Sequence, residues 1–121
     1  MKKRILVVED QLDNRRILHD LLTNAEFDIV EAENGAEAIA CAKASRPDLI
    51  LMDIQLPILD GYEATRHIKA DPDLKSIPII VVTSYALSGD EEKARLAGCD
   101  DYVAKPYSPR QLLAKIRARL S

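Results

Sequence analysis

Three short apolar runs, each almost free of polar residues, most constrain what this chain can fold into. They cover Arg4 to Val8, Asp48 to Met52 and Ile77 to Val82, and each is rich in Leu, Ile or Val. A strand that is apolar on both faces needs cover on both, which parallel sheets obtain from helices. Two other segments, Phe27 to Ala32 and Asp101 to Ala104, are alternating or short, so we expect them at the sheet edges.

Helical patterns alternate strictly with these strand candidates. Four of the five helices begin with a capping side chain three positions before an acidic or amide residue. These pairs are Asn34 and Glu37, Asp60 and Glu63, Ser88 and Glu91, and Ser108 and Gln111. The first helix has its apolar positions at Ile17, Leu18, Leu21, Leu22 and Ala25. The alternation predicts a doubly wound α/β fold with helices on both faces of a parallel sheet. Among such folds we expect the flavodoxin-like (βα)5 domain, with strand order 2-1-3-4-5.

Length and charge limit the classes of function. With 121 residues, 47% of them hydrophobic, the chain fits one domain over residues 1–121. A net charge of −3 argues against direct binding to nucleic acid or to an acidic membrane surface. Cys41 and Cys99 form no C-x-x-C pair and fit a protein of the reducing cytoplasm. The sequence does not exclude a disulfide between them. We expect a cytoplasmic protein.

Polar residues occur where the predicted strands end. Glu9 and Asp10 follow the first strand, Asp53 the third, Thr83 the fourth and Lys105 the fifth. In open α/β sheets the carboxyl ends of the strands form the binding crevice. We therefore expect these side chains to converge.

Three converging acids need compensation. Two carboxylates about 5 Å apart repel by roughly 3 kcal/mol at an effective dielectric of 20. Either a shared proton or a hard divalent cation would relieve this, and Mg²⁺ suits carboxylates that leave room for water and phosphate. For Asp10 a solvated loop start or a helix N-cap is an equal alternative. Asp53, in contrast, ends the most apolar run of the chain and needs a partner.

Other interpretations of these residues have less support than a shared site. Taken by itself, Lys105 could be an ordinary exposed lysine, and Thr83 could be present for its strand propensity. The chain has no G-x-x-x-x-G-K-[ST] loop and no G-x-G-x-x-G motif. A flavin or nucleotide phosphate after the first strand would be repelled by Glu9 and Asp10.

Four motifs in order give the chain a family resemblance. They are V-V-E-D at 7–10, L-M-D-I-Q-L-P-I-L-D-G at 51–61, V-T-S at 82–84 and Y-V-A-K-P at 102–106. Over essentially its whole length the chain resembles the CheY-like receiver domain of two-component response regulators. The stretch from Gly89 to Cys99, together with D-I-Q-L-P, looks most like DivK-type single-domain regulators.

The resemblance implies a set of roles. Asp53 would be the phosphoacceptor, taking a phosphoryl group from a phosphohistidine on a sensor histidine kinase or histidine phosphotransfer protein. Glu9 and Asp10, with Asp53 and the backbone carbonyl of Gln55, would hold Mg²⁺, Glu9 more often through water. Lys105 would pair with the phosphoryl group.

The same resemblance implies a switch. Pro106 would follow a cis peptide that aims Lys105. Thr83 would be the switch hydroxyl and Tyr102 the switch aromatic, so that a downstream protein reads the face of the fourth helix, fifth strand and fifth helix. Gln55 and Tyr85 stand at variable positions of the family and would tune the lifetime of the phosphoryl group.

The sequence is also compatible with other functions. The chain could be a receiver excised from a longer regulator with an output domain, or a pseudo-receiver that binds partners without phosphorylation. A Mg²⁺-dependent phosphohydrolase would need an acid two residues after Asp53, where this chain has Gln55. We therefore expect a signalling switch and not an enzyme, with self-catalysed phosphotransfer and slow autodephosphorylation only.

Overall fold

The computed structural model describes residues 2–83 and 90–120, and within them it contains five strands and five helices. In chain order the elements are β1 (Arg4–Val8), α1 (Leu12–Asn24), β2 (Asp28–Ala32), α2 (Gly35–Ser45), β3 (Leu49–Asp53), α3 (Gly61–Ala70), β4 (Ile79–Thr83), α4 (Asp90–Ala97), β5 (Asp101–Ala104) and α5 (Pro109–Leu120). Tyr85, Ser84 and the predicted cap Ser88 lie outside the described residues.

All strands are parallel and follow the order β2-β1-β3-β4-β5, which confirms the predicted topology. The sheet has an apolar layer on each face. One contains buried residues of α2, α3 and α4, and the other contains buried residues of α1 and α5. β2 and β5 are the edges, as their alternation and shortness predict.

The boundaries of three strands, β2, β3 and β4, differ from the predictions. Phe27 stays outside β2 because its N–H bonds to the carbonyl of Leu22 at the end of α1, 3.0 Å away. β4 begins at Ile79, one residue after Pro78, which has no N–H to donate. β3 and β4 extend to Asp53 and Thr83, so these two polar residues belong to the strands.

The predicted caps form where the structure describes them. The side chain of Asn34 accepts from the N–H of Glu37 at 2.8 Å, and that of Asp60 accepts from the N–H of Glu63 at 2.9 Å. The helix that follows Asp10 has Gln11 as its N-cap, so the N-cap interpretation of Asp10 is wrong. Asp10 is exposed at the start of the loop after β1, which agrees with the other interpretation, a solvated loop start.

The predicted apolar face of α1 needs one correction. Ile17 is 60% exposed, and the buried positions are Arg15, Leu18 and Leu22. Their spacing of three and four residues also describes a helix face, but it includes an arginine. Hydropathy alone assigned that position to solvent.

Thr65 on α3 is fully buried, and its hydroxyl has no hydrogen-bond partner within the described part of the chain. We expect Thr65→Val to raise the free energy of unfolding by about 1 kcal/mol, since a buried unsatisfied hydroxyl is replaced by a methyl group of similar shape. Urea unfolding measures this change. Thr23→Val on the exposed side of α1 is the control, and an equal gain there would contradict the explanation.

Candidate functional site

The carboxyl ends of β1, β3 and β5 bring four charged side chains together. Oxygen atoms of Glu9, Asp10 and Asp53 lie within 4.8 Å of one another. The Lys105 Nζ lies 3.3 Å from Glu9 Oε2 and 3.3 Å from Asp53 Oδ2. Glu9 and Asp53 are buried, whereas Asp10 is exposed. The structure therefore brings together the adjacent acids Glu9 and Asp10, the distant acid Asp53 and the lysine, as predicted.

Asp53 is positioned by the end of β3 and by the loop that follows it. Its Oδ1 accepts a hydrogen bond of 3.1 Å from the backbone N–H of Gln55. At its other end this loop lies against the end of β3, because the N–H of Gly61 donates a hydrogen bond of 3.0 Å to the carbonyl of Ile54. A Cβ on Gly61 would come within 2.2 Å of the Asp53 carbonyl oxygen, so only glycine lets α3 start this close.

Glu9 is bound at both carboxylate oxygens. Oε1 accepts from the N–H of Gln11 at 3.3 Å and from Asn14 Nδ2 at 3.4 Å, both at the start of α1. Oε2 faces Lys105. Two of these contacts come from the first turn of a helix, whose free N–H groups and dipole favour an anion.

Burial of the acids controls their protonation. Burial raises the pKa of Asp53 to about 7, and the hydrogen bond and charge of Glu9 add to the rise, against the effect of Lys105. Burial also acts to raise the pKa of Glu9, but its hydrogen bond with Asp53 and the charge of Lys105 lower it overall. Without a metal, burial and the carboxylate of Glu9 thus favour the protonated form of Asp53, in the direction of the shared proton that the sequence left open beside the cation.

Lys105 is half-buried between the two acids. Burial acts to lower its pKa, but the charges of Asp53 and Glu9 prevail and raise it above the ordinary value. Its own N–H bonds to the carbonyl of Thr83 at 2.6 Å, and the peptide between Lys105 and Pro106 is cis. β5 and the end of β4 thus hold the lysine at the site.

The remaining predicted residues lie around this centre. Thr83 is fully buried at the end of β4, and Gln55 is exposed on the β3–α3 loop. Tyr102 is half-buried on β5, against the layer that includes α2, α3 and α4. Tyr85 lies outside the described residues.

An apolar groove of about 500 Å³ adjoins the acids. Its lining comes from β1, α1 and the β5–α5 loop: Glu9, Asn14, Ile17, Leu18, Lys105, Pro106, Tyr107 and Pro109. The sequence did not indicate this groove. The exposed Ile17 lines this groove, so its side chain contributes to the groove and not to the core.

Arg15 is the other feature that the sequence did not reveal. It is only 8% exposed, and its Nη1 donates to the backbone carbonyl of Glu9 at 2.9 Å. An arginine in register with Leu18 and Leu22 is the signal that could have indicated it.

The model of the response regulator receiver domain family matches residues 5–117. The chain belongs to the response regulator receiver domain family. Phosphorylation-dependent switching in two-component signalling is the function of that family.

Curated relatives of this receiver domain include the polar-differentiation response regulator DivK. The protein from Brucella anthropi is 42% identical over 120 residues, which cover 99% of this chain and 98% of the relative. That from Brucella ovis is 40% identical over the same shares. The resemblance to DivK-type regulators is therefore confirmed.

Solved structures agree with the fold. The receiver domain of a sensor histidine kinase from Pseudomonas aeruginosa PAO1 has a TM-score of 0.93 at 37% identity, covering 99% of this chain and 98% of that one. That structure has a magnesium ion coordinated in its active site cleft. Chemotaxis protein CheY4 of Vibrio cholerae has a TM-score of 0.92 at 25% identity, covering 99% and 100%.

The structure also describes the two cysteines and the lengths of the helices. Cys41 and Cys99 are free thiols, so the disulfide left open by the sequence is not formed. Within residues 2–83 and 90–120, none of the helices combines the length and apolar composition needed to span a membrane.

The raised pKa of Asp53 predicts how stability depends on pH in the absence of Mg²⁺. The native state holds a proton that the unfolded state releases near pH 4, so the contribution of this group to stability falls as the pH rises from 4 through 7. Asp53→Asn should therefore stabilise the metal-free protein by up to about 4 kcal/mol at pH 8 and hardly at all at pH 4. Urea unfolding at both pH values checks this, and equal gains at the two would contradict it.

Proposed function

We propose that this receiver domain accepts a phosphoryl group on Asp53 from a phosphohistidine of a sensor histidine kinase or histidine phosphotransfer protein. The observation that carries the proposal is the position of Lys105, 3.3 Å from both Asp53 and Glu9, at an acidic cluster that also contains Asp10. A nucleophile, a cation for the phosphoryl oxygens and oxygen ligands for a metal thus occupy one crevice.

The acidic cluster fits Mg²⁺. Its ligand atoms are hard carboxylate oxygens, and the exposure of Asp10 leaves room for the waters that the ion keeps. Asp10, Asp53 and the backbone carbonyl of Gln55 would hold the ion directly. Glu9 would act more often through water, as the resemblance to the family implies. When bound, Mg²⁺ neutralises the acids and the oxygens of the phosphoryl group.

In the transfer step, an ionised oxygen of Asp53 forms a bond to phosphorus while the bond from phosphorus to the donor histidine nitrogen breaks. The electron pair of that bond leaves with the imidazole. Transfer requires the ionised form of Asp53, and a cation beside Glu9 and Asp53 favours that form. Lys105 then exchanges its contact with Asp53 for one with a phosphoryl oxygen.

The groove beside Lys105 is where we place the donor protein. It is predominantly apolar, it is open to solvent, and it meets the reactive crevice at Glu9 and Lys105. Ile17 supplies an exposed apolar side chain at its edge. A helix carrying the phosphohistidine could cover this groove while presenting its phosphoryl group to Asp53.

Phosphorylation would act on the rest of the domain through Thr83 and Tyr102. The buried hydroxyl of Thr83 would turn toward a phosphoryl oxygen, and Tyr102 would move into the space released near α4. The downstream protein would then read the face formed by α4, β5 and α5. Gln55, exposed beside Asp53, and Tyr85 would set how fast water reaches the phosphoryl group.

The pseudo-receiver and phosphohydrolase alternatives receive less support. The cluster contains each acid and the lysine that phosphotransfer needs, whereas a pseudo-receiver requires none of them. Gln55 is no general acid, so turnover of phosphate esters is not expected. We assign the domain to the cytoplasm, with protein partners and no direct nucleic-acid or membrane contact.

Intact-mass spectrometry after incubation with acetyl phosphate tests the proposal. We expect one added phosphoryl group in the presence of Mg²⁺ and none when the metal is chelated. The same experiment with a phosphorylated histidine phosphotransfer protein should give the adduct more quickly. Absence of the adduct with both donors, in protein that remains folded, would refute the proposal.

A further inference from the structure

We propose that Arg15 is a positioning residue for the metal site, acting through the backbone between Glu9 and Asp10. The proposal rests on the function assigned above. Arg15 lies on the buried face of α1. Its guanidinium does not join the apolar core but reaches back to the loop that carries the acids.

The guanidinium of Arg15 contacts three separate groups. Its Nη1 donates to the Glu9 carbonyl oxygen at 2.9 Å. Its Nε lies 3.5 Å from Glu31 Oε1 on β2, and its Nη2 lies 3.1 Å from Glu33 Oε1 in the β2–α2 loop. The two carboxylates fix the guanidinium from the side of β2. Its remaining nitrogen, Nη1, is therefore held in place to donate to the Glu9 carbonyl.

The Glu9 carbonyl belongs to the same planar peptide group as the N–H of Asp10. Holding its oxygen therefore fixes the direction in which the backbone enters Asp10. Asp10 is the exposed acid of the cluster. Its neighbours Glu9 and Asp53 are buried acids that repel it when ionised, and this repulsion favours opening of the turn between β1 and α1. The bond from Arg15 opposes that opening.

A positioning role and a simple charge effect predict opposite changes in Mg²⁺ affinity. If Arg15 acted only by its positive charge, removing it would attract a cation more strongly and the dissociation constant for Mg²⁺ would fall. If Arg15 positions the ligands, removing it should weaken Mg²⁺ binding by about 10-fold or more, as for other groups that orient metal ligands. The direction of the change therefore separates the two explanations.

The test measures Mg²⁺ binding by isothermal titration calorimetry for the wild type, Arg15→Met and Arg15→Lys. Arg16→Met is the matched control, because the neighbouring Arg16 is exposed and its loss changes the net charge equally. We expect weaker binding for both Arg15 variants and a change of less than about 2-fold for the control. Arg15→Lys keeps the positive charge, but a single ammonium group cannot contact the Glu9 carbonyl and both carboxylates in the geometry of the planar guanidinium.

Urea unfolding of each variant identifies conditions in which it is fully folded, so that reduced stability does not lower its apparent affinity. If Arg15→Met does not fold, Arg15→Lys provides the same comparison. Binding by the folded Arg15 variants that is equal to or tighter than that of Arg16→Met would overturn the inference alone. A wild type that binds no Mg²⁺ would overturn the proposed function as well.

Discussion

Replacing Asp53 with asparagine should abolish phosphorylation of this domain by acetyl phosphate or by a phosphohistidine protein. The amide cannot form the acyl phosphate, so the initial rate is expected to fall by more than about 1,000-fold. Intact-mass spectrometry measures the loss. The variant should remain folded, since the amide also removes a buried carboxyl group whose pKa is raised to about 7.

Asp60→Asn provides the control for this experiment. Asp60 is an exposed acid that caps α3 in the same loop region, and asparagine preserves that cap. We expect Asp60→Asn to be phosphorylated at nearly the wild-type rate. A phosphoryl adduct that persists on Asp53→Asn would show that another residue accepts the group and would exclude the assignment.

Replacing Lys105 with methionine should slow phosphorylation by about 100- to 1,000-fold, as when one preorganised charge is removed from a developing anion. Mg²⁺ should bind as tightly as before or more tightly, because the lysine competes for the oxygens of Glu9 and Asp53. Rates of adduct formation and calorimetric Mg²⁺ titrations check the two parts separately.

Lys43→Met, on the exposed surface of α2, controls for the loss of a positive charge. It should leave both the rate and the Mg²⁺ affinity nearly unchanged. A Lys105→Met variant with weaker Mg²⁺ binding and a proportionally lower rate would indicate that the lysine supports the metal site. A direct role toward the phosphoryl group would then be excluded.

Most of the fold could be predicted because each element carries local signals. Asn34 and Asp60 cap their helices as their spacing with Glu37 and Glu63 indicates. The boundaries of β3 and β4 were less predictable. Asp53 and Thr83 are polar, yet pairing with Val82 and Ala104 on neighbouring strands places them within the sheet.

The convergence of Glu9, Asp10, Asp53 and Lys105 could also be predicted, because parallel strands bring their carboxyl ends to one edge. The raised pKa of Asp53 could not be, since it depends on the burial of this carboxyl group and on its contact with Glu9 in the folded chain. The groove was equally hidden, because α1 and the β5–α5 loop form it from distant segments.

Periodicity, caps and motifs are local properties of the chain, so the succession of strands and helices, the family and the residues at the strand ends could be predicted from them. Which side of α1 is buried depends instead on contacts that form between distant segments when the chain folds. Hydropathy favours Ile17 over Arg15, but Arg15 finds a carbonyl and two carboxylates within the fold. A charged residue can be buried when its partners compensate for the loss of water, and those partners exist only once the chain has folded.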